Sequence, residues 1–143
     1  MRHRIATAAA VTLAASLAAV GLQGTAAHAA DTYYCSTPLN LGQGISVDEC
    51  IHLGGNGYWQ PYLQIHNGWI TVLGLSNDKQ WINSGGVYNA YKPIPYTQAP
   101  PGTTTTIWGA STNWRNTCYV QGQAFVDFPG QAYQLNSPSV EVC

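Results

Sequence analysis

The chain of 143 residues carries only five basic and six acidic side chains, a formal net charge of −1, while 45% of it is hydrophobic and 11% aromatic. So few positive charges exclude a phosphate-binding stripe, and with it a nucleic-acid or anionic-membrane surface. High aromatic content with a small net charge likewise excludes a disordered chain.

Met1-Arg2-His3-Arg4 is a basic opening, Ile5 to Leu22 is an Ala-, Val- and Leu-rich run without charge, and Ala27-His28-Ala29 is a small-residue cleavage site. This order predicts a secretory signal over residues 1–29, cleaved near Ala29. The arginines are not adjacent, so the twin-arginine variant is not expected. Residues 30–143 then form a single secreted domain. There Lys79, Lys92 and Arg115 face six acids, a formal charge of −3. No second apolar run is long enough to span a bilayer, so membrane insertion is not expected.

From Cys35 onward no apolar residues recur at helical spacing, and Gly, Pro and Asn interrupt the chain every few positions. Short runs of β-branched and aromatic residues predict strands near 58–66, 69–75, 87–91, 103–110, 117–127 and 139–142, with a seventh around Ile45 to Leu53. Six to seven short strands at this spacing predict an all-β fold, a small antiparallel β-sandwich or a partly open barrel.

Within "YLQIHNGWITVL", residues 62–73, Asn67-Gly68 is a strong type I′ hairpin signal. A two-residue turn there would pair Ile65 with Ile70 and Leu63 with Val72. Those four aliphatics would form the core face, with Tyr62, Gln64, His66, Trp69, Thr71 and Leu73 on the outer one. Further on, "KPIPYTQAPPG", residues 92–102, holds four prolines and reads as a rigid connector or edge, or as a binding loop centred on Tyr96. "STNWRN", residues 111–116, offers Trp114 and Arg115 as a loop anchor or as a surface cation–π pair. Along "TCYVQGQAFVDF", residues 117–128, alternation puts Cys118, Val120, Gly122, Ala124, Val126 and Phe128 inward. Tyr119, Gln121, Gln123, Phe125 and Asp127 then share the other face, solvated or used for binding.

The four cysteines, Cys35, Cys50, Cys118 and Cys143, predict two disulfides in an exported chain. Sequence leaves three pairings open; the local one, Cys35–Cys50 with Cys118–Cys143, is preferred. No C-x-x-C pair exists and Cys50 with His52 is an isolated neighbour pair, so neither metal nor other cofactor is expected.

Five Trp and nine Tyr exceed what a core this size needs. Rings beside amides suit neutral sugars, and Trp and Tyr equally serve as protein hot spots. Tyr62, Gln64, His66, Trp69, Tyr96, Trp114 and Arg115 are the candidate ligand-binding residues. Catalysis is not expected. Asp48 and Glu49 are adjacent and must point to opposite faces of a strand, and no nucleophile motif surrounds any serine. The sequence therefore points to a secreted, non-catalytic binding protein, a monomer or part of a hetero-complex. Its partner would be an extracellular protein, as for a hydrolase inhibitor or a component of an exported toxin or adhesive assembly. The alternatives are a carbohydrate-binding module recognising cell-surface glycan and, behind it, a small secreted hydrolase.

Overall fold

The computed structural model describes residues 30–143 apart from 56, 76–77, 85–86, 114–117 and 129–130. The expected signal segment therefore lies outside the described residues. Thirteen strands follow in chain order: β1 (Thr32–Cys35), β2 (Leu39–Gly42), β3 (Ile45–Leu53), β4 (Tyr58–Asn67), β5 (Leu73–Leu75), β6 (Asp78–Ser84), β7 (Val87–Ile94), β8 (Thr97–Ala99), β9 (Thr103–Trp108), β10 (Thr112–Asn113), β11 (Tyr119–Phe128), β12 (Gln131–Asn136) and β13 (Val140–Glu141). All pairings are antiparallel. No helix among the described residues is long and apolar enough to cross a membrane.

The six-stranded sheet is centred on β3 and β4. β1 and β2 share the free side of β3, while β9 and β10 share that of β4. The five-stranded sheet runs β12–β11–β6–β7, with β13 also on β11, and β5 pairs with β8 separately. The disulfides are Cys35–Cys50, joining β1 to β3, and Cys118–Cys143, joining the start of β11 to the chain beyond β13. The local pairing is therefore the real one, and two disulfides are consistent with an extracellular protein.

The sheets pack face to face as an open sandwich. One core cluster combines Ile45, Val47, Leu63 and Ile65 with Ala124, Val126, Phe128 and Leu135, closed over by Leu73, Leu75 and Ala99 of the β5–β8 pair. The second combines Ile51, Trp59, Ile82, Val120 and Val140. Between the two clusters stand Glu49 on β3, Pro61 on β4 and Gly122 on β11. A Cβ on Gly122 would come within 2.9 Å of Cys50 O, Glu49 Oε1 and Pro61 Cβ.

The sequence-predicted hairpin at Asn67-Gly68 does not form. β4 pairs with β3 on one side and with β9, far along the chain, on the other. Neither Asn67 nor Gly68 takes the positive φ that a type I′ turn requires; that region is occupied by Gly42, Gln43, Gly44, Gly57 and Gly102. Residues 68–72 are a loop, and the expected strand 69–75 shrinks to β5. Leu63 and Ile65 are core as expected, but Ile70 is 86% and Val72 53% exposed, while Leu73, assigned outward, is buried. The alternation expected for 118–128 is seen from Val120 to Phe128. The four prolines lie on or beside the edge strand β7 and around β8, where a missing donor is tolerated.

Glu49 is fully buried, and neither carboxylate oxygen has a hydrogen-bond partner. Burial, and then the neighbouring Asp48 charge, hold its pKa well above the ordinary 4.5. Between 4.5 and the folded value it holds its proton in the fold and loses it in the unfolded chain, so the stability it contributes is lost as pH rises through that window. Glu49→Gln should match the wild type in acid and exceed its melting temperature by a margin that widens toward neutrality, read by thermal melts across pH. Burial also raises Asp48, so a slope of the same sign should persist in the variant. Gly122→Ala should cost about 1–3 kcal/mol in urea unfolding, because the added methyl meets backbone as well as side chain.

Candidate functional site

Two surfaces are candidate sites: the outer face of the six-stranded sheet, and the loop that follows β4. On the sheet, antiparallel register places Tyr33 opposite His52, and Tyr62 opposite both Cys50 and Trp108. Tyr33 stacks on His52 with ring centroids 4.5 Å apart and planes inclined by 5°. Trp108 lies 4.7 Å from Tyr62 and edge-on to His52 at 5.8 Å. His52 Nδ1 pairs with the Tyr58 hydroxyl at 3.2 Å. Its Nε2 lies 3.4 Å from Asp31 Oδ2, an ion-pair distance without hydrogen-bond geometry.

Asp48 points outward into this cluster and is nonetheless buried, with Oδ2 3.2 Å from Cys50 Sγ. That sulfur is in a disulfide, so the contact is packing and not an S–H bond. Tyr62 donates to Cys35 Sγ at 3.3 Å. Its phenol pKa is raised first by burial and then by Asp48. Asp48 and the sulfurs of Cys35 and Cys50 lie within 4.8 Å of one another. Both sulfurs are spent on each other, which removes the thiolates a metal would need. Only Tyr33 and Trp108 of the cluster present substantial ring surface to solvent.

The loop is built from Asn67. Trp59, Pro61, Leu63 and Ile65 face inward along β4, and alternation turns Asn67 inward with them. Its side chain is fully buried. Nδ2 donates to Thr71 O at 2.9 Å and to Ala99 O at 2.8 Å, while Oδ1 accepts from Trp69 N at 3.0 Å. Gly68 N donates to Gly44 O at 2.9 Å, tying the loop to the β2–β3 turn. The backbone of 68–72 is thus held from inside, and Trp69, Ile70 and Val72 face water. Beneath Trp69 opens a cavity of ≈ 210 Å³, lined chiefly by Leu41, Ile45, Leu73, Phe128 and Tyr133.

The sequence-predicted site residues divide accordingly. Tyr62 lies on the expected face but is buried under Trp108, and Gln64 beside it is half-buried. His66 is exposed and pairs with Thr104 Oγ1 at 3.0 Å, roughly 13 Å along the strand from Tyr62. His66 and Trp69 are therefore not partners across a turn. Tyr96 is 67% exposed and lies against Gly74 on β5, two residues beyond Val72, so it joins the loop end. Trp114 and Arg115 lie outside the described residues.

The structure adds Asp31, Tyr33, His52, Tyr58 and Trp108 to the candidate set. One signal in the sequence pointed to part of it. If Cys35 pairs antiparallel with Cys50, the residue two before the first cysteine must face the residue two after the second, and these are Tyr33 and His52. Asp48 and Glu49 do point to opposite faces, Asp48 into the ring cluster and Glu49 into the core.

No protein-family model matches the chain, and no curated protein matches it. Among solved structures it is similar to the crystal structure of a protein from Archaeoglobus fulgidus, at 10% identity over 78% of this chain and 96% of that one, with a TM-score of 0.40. A likeness of that degree carries no functional argument.

Asn67→Ala removes both donors and the acceptor, leaving Ala99 O buried without its partner. It should cost at least about 2 kcal/mol in urea unfolding and speed amide exchange at residues 69–72 selectively.

Proposed function

We propose that this is a secreted, non-catalytic binding protein that docks on another extracellular protein through the loop end of its sandwich. The observation that carries the reading is the exposure of Ile70 and Val72 on a loop that Asn67 holds rigid. Isolated apolar residues are common on surfaces, but two β-branched aliphatics beside Trp69 and Tyr96 at one fixed tip make a patch. An aliphatic side chain offers nothing to a sugar hydroxyl and gains most from an apolar pocket on a protein. Because the loop is ordered before contact, little conformational entropy remains to be lost on binding. The cavity beneath Trp69 supplies a reciprocal slot for one apolar side chain of the partner.

Export is supported by the signal-like segment over residues 1–29 and by the two disulfides. The scarcity of charge supports an apolar contact over an electrostatically steered one. An inhibitor of a secreted hydrolase and a component of an exported toxin or adhesive assembly would both use such a tip.

The test is affinity capture from the culture fluid of the producing cells, comparing the wild type with the Ile70→Asp/Val72→Asp double variant. Both side chains are exposed, so melting temperatures should agree. The wild type should retain one protein in stoichiometric amount, and the double variant should bind it at least about 30-fold more weakly. Equal capture by both proteins, or no specific capture by the wild type, would overturn the reading.

A further inference from the structure

The outer face of the five-stranded sheet carries a second aromatic surface, and its chemistry differs from that of the loop end. Gln80, Ile82, Gly122 and Ala124 face inward, so alternation turns Trp81, Asn83, Gln121, Gln123 and Phe125 outward along β6 and β11. Strand register sets Tyr91, Trp81, Gln123 and Asn136 in one row across four strands. Asn83 and Gln121 face each other in the next row. At strand spacing the first row is roughly 14 Å long, the length of several sugar rings. At its β7 end, the rings of Trp81 and Tyr91 lie 4.8 Å apart with planes inclined by 34°. They pack tilted against each other, so the platform they offer is the Tyr91 ring, 47% exposed and backed by Trp81.

Amides continue the platform. Gln123 is only 5% exposed although it stands on the outer face; its Nε2 donates to Asn136 Oδ1, and its Oε1 has no partner. Asn83 Oδ1 in the next row is likewise buried and unpaired. Gln121 is fixed by donating from Nε2 to Ser137 O at 2.9 Å. Buried amide ends without partners are destabilising until a ligand supplies the missing bonds. A sugar hydroxyl both donates and accepts, so it satisfies the free end of either amide in either orientation. None of the six residues of the two rows is charged; the basic residue that register adds to this face is Lys79, opposite Phe125 in the row on the other side of Trp81.

We propose that this face binds a neutral polysaccharide chain, with one sugar ring stacked on Tyr91 and the hydroxyls of the following units held by Gln123, Asn83 and Asn136. The apolar side of a pyranose meets that ring, and the amides read its edge. This site is separate from residues 68–72, so a glycan and a protein partner can be held together. It stands whether or not the loop end binds a protein.

The experiment is affinity electrophoresis in gels containing soluble neutral polysaccharides (glucomannan, xyloglucan, galactomannan, laminarin and starch), with cellulose and chitin sedimentation for insoluble ones. Wild type, Tyr91→Ala, Asn136→Ala and Ile70→Asp are run side by side, and thermal melts confirm folding. At least one neutral polysaccharide should retard the wild type, at low and high salt alike. Tyr91→Ala should weaken that binding about tenfold or more. Asn136→Ala, an exposed position, should weaken it to a lesser degree, and Ile70→Asp should leave it unchanged. The proposal is overturned if no neutral polysaccharide binds, or if only acidic ones bind and do so in a salt-sensitive way. Wild-type affinity in both Tyr91→Ala and Asn136→Ala would overturn it as well.

Discussion

Gly122 has no side chain, and the two sheets meet where one would be. The carboxyl of Glu49, the ring of Pro61 and the backbone at Cys50 all come into the space a Cβ would need. On one side of this waist the core is mostly aliphatic, with Phe128 among it, and closed by the β5–β8 pair; on the other it is built around Ile51, Trp59 and Ile82. Sheets drawn this close fix which residues of β3, β4 and β11 turn inward and which turn outward. Which residues face water, and so which surfaces can meet a ligand, follows from that contact. A buried carboxyl without a hydrogen-bond partner is tolerated at the waist because the alternative, a wider gap, would forfeit packing along both clusters.

β4 shows how the core positions a surface. Its inward residues run Trp59, Pro61, Leu63, Ile65, Asn67, and the last of these is polar. A buried amide must find partners, and Asn67 finds them in the loop that follows it and in the end of β8. The same bonds that satisfy a core residue therefore shape the exposed tip. The outer side of β4 acts differently: Tyr58 and Tyr62 are absorbed into a ring cluster with His52, Tyr33 and Trp108, packed beside the Cys35–Cys50 disulfide, of which Cys50 is buried and Cys35 exposed. The aromatic surplus in the composition is thus divided between structural cover and display.

Much of the architecture was legible because alternation is a local property. Leu63, Ile65 and the inward face from Val120 to Phe128 could be assigned from the chain alone, and proximity favoured the right disulfides. The Asn67-Gly68 turn misled because the local preference for positive φ was outweighed by long-range pairing of β4 with β9 and by the interior bonds of Asn67. Yet the assignment of Leu63 and Ile65 inward already implied that Asn67 two residues later was inward too, which a two-residue turn tip cannot be. Strands β6 and β12 were missed because "DKQWINS" and "QAYQLN" are mostly polar; Gln80 faces the core, donating to Ile107 O, and in β12 only Leu135 is buried. The His52 cluster draws on four strands and on Asp31 before them, so no single window of sequence contains it.

The dipeptide that failed as a turn has one more property. Asn-Gly is the sequence most prone to spontaneous deamidation, in which the glycine nitrogen attacks the asparagine side-chain carbonyl to close a succinimide. The closure breaks the Cγ–Nδ2 bond and releases ammonia. Here both reactants are engaged: the Asn67 amide is bonded at both ends, and Gly68 N donates to Gly44 O. Folding therefore protects the bond chemically for as long as the loop stays closed. A chain left unfolded has no such protection, and hydrolysis would install aspartate or isoaspartate, neither of which can donate to Thr71 O and Ala99 O. The loop is thus a record of the molecule's history: a chain that has aged in the open state cannot rebuild the tip it had when it was made.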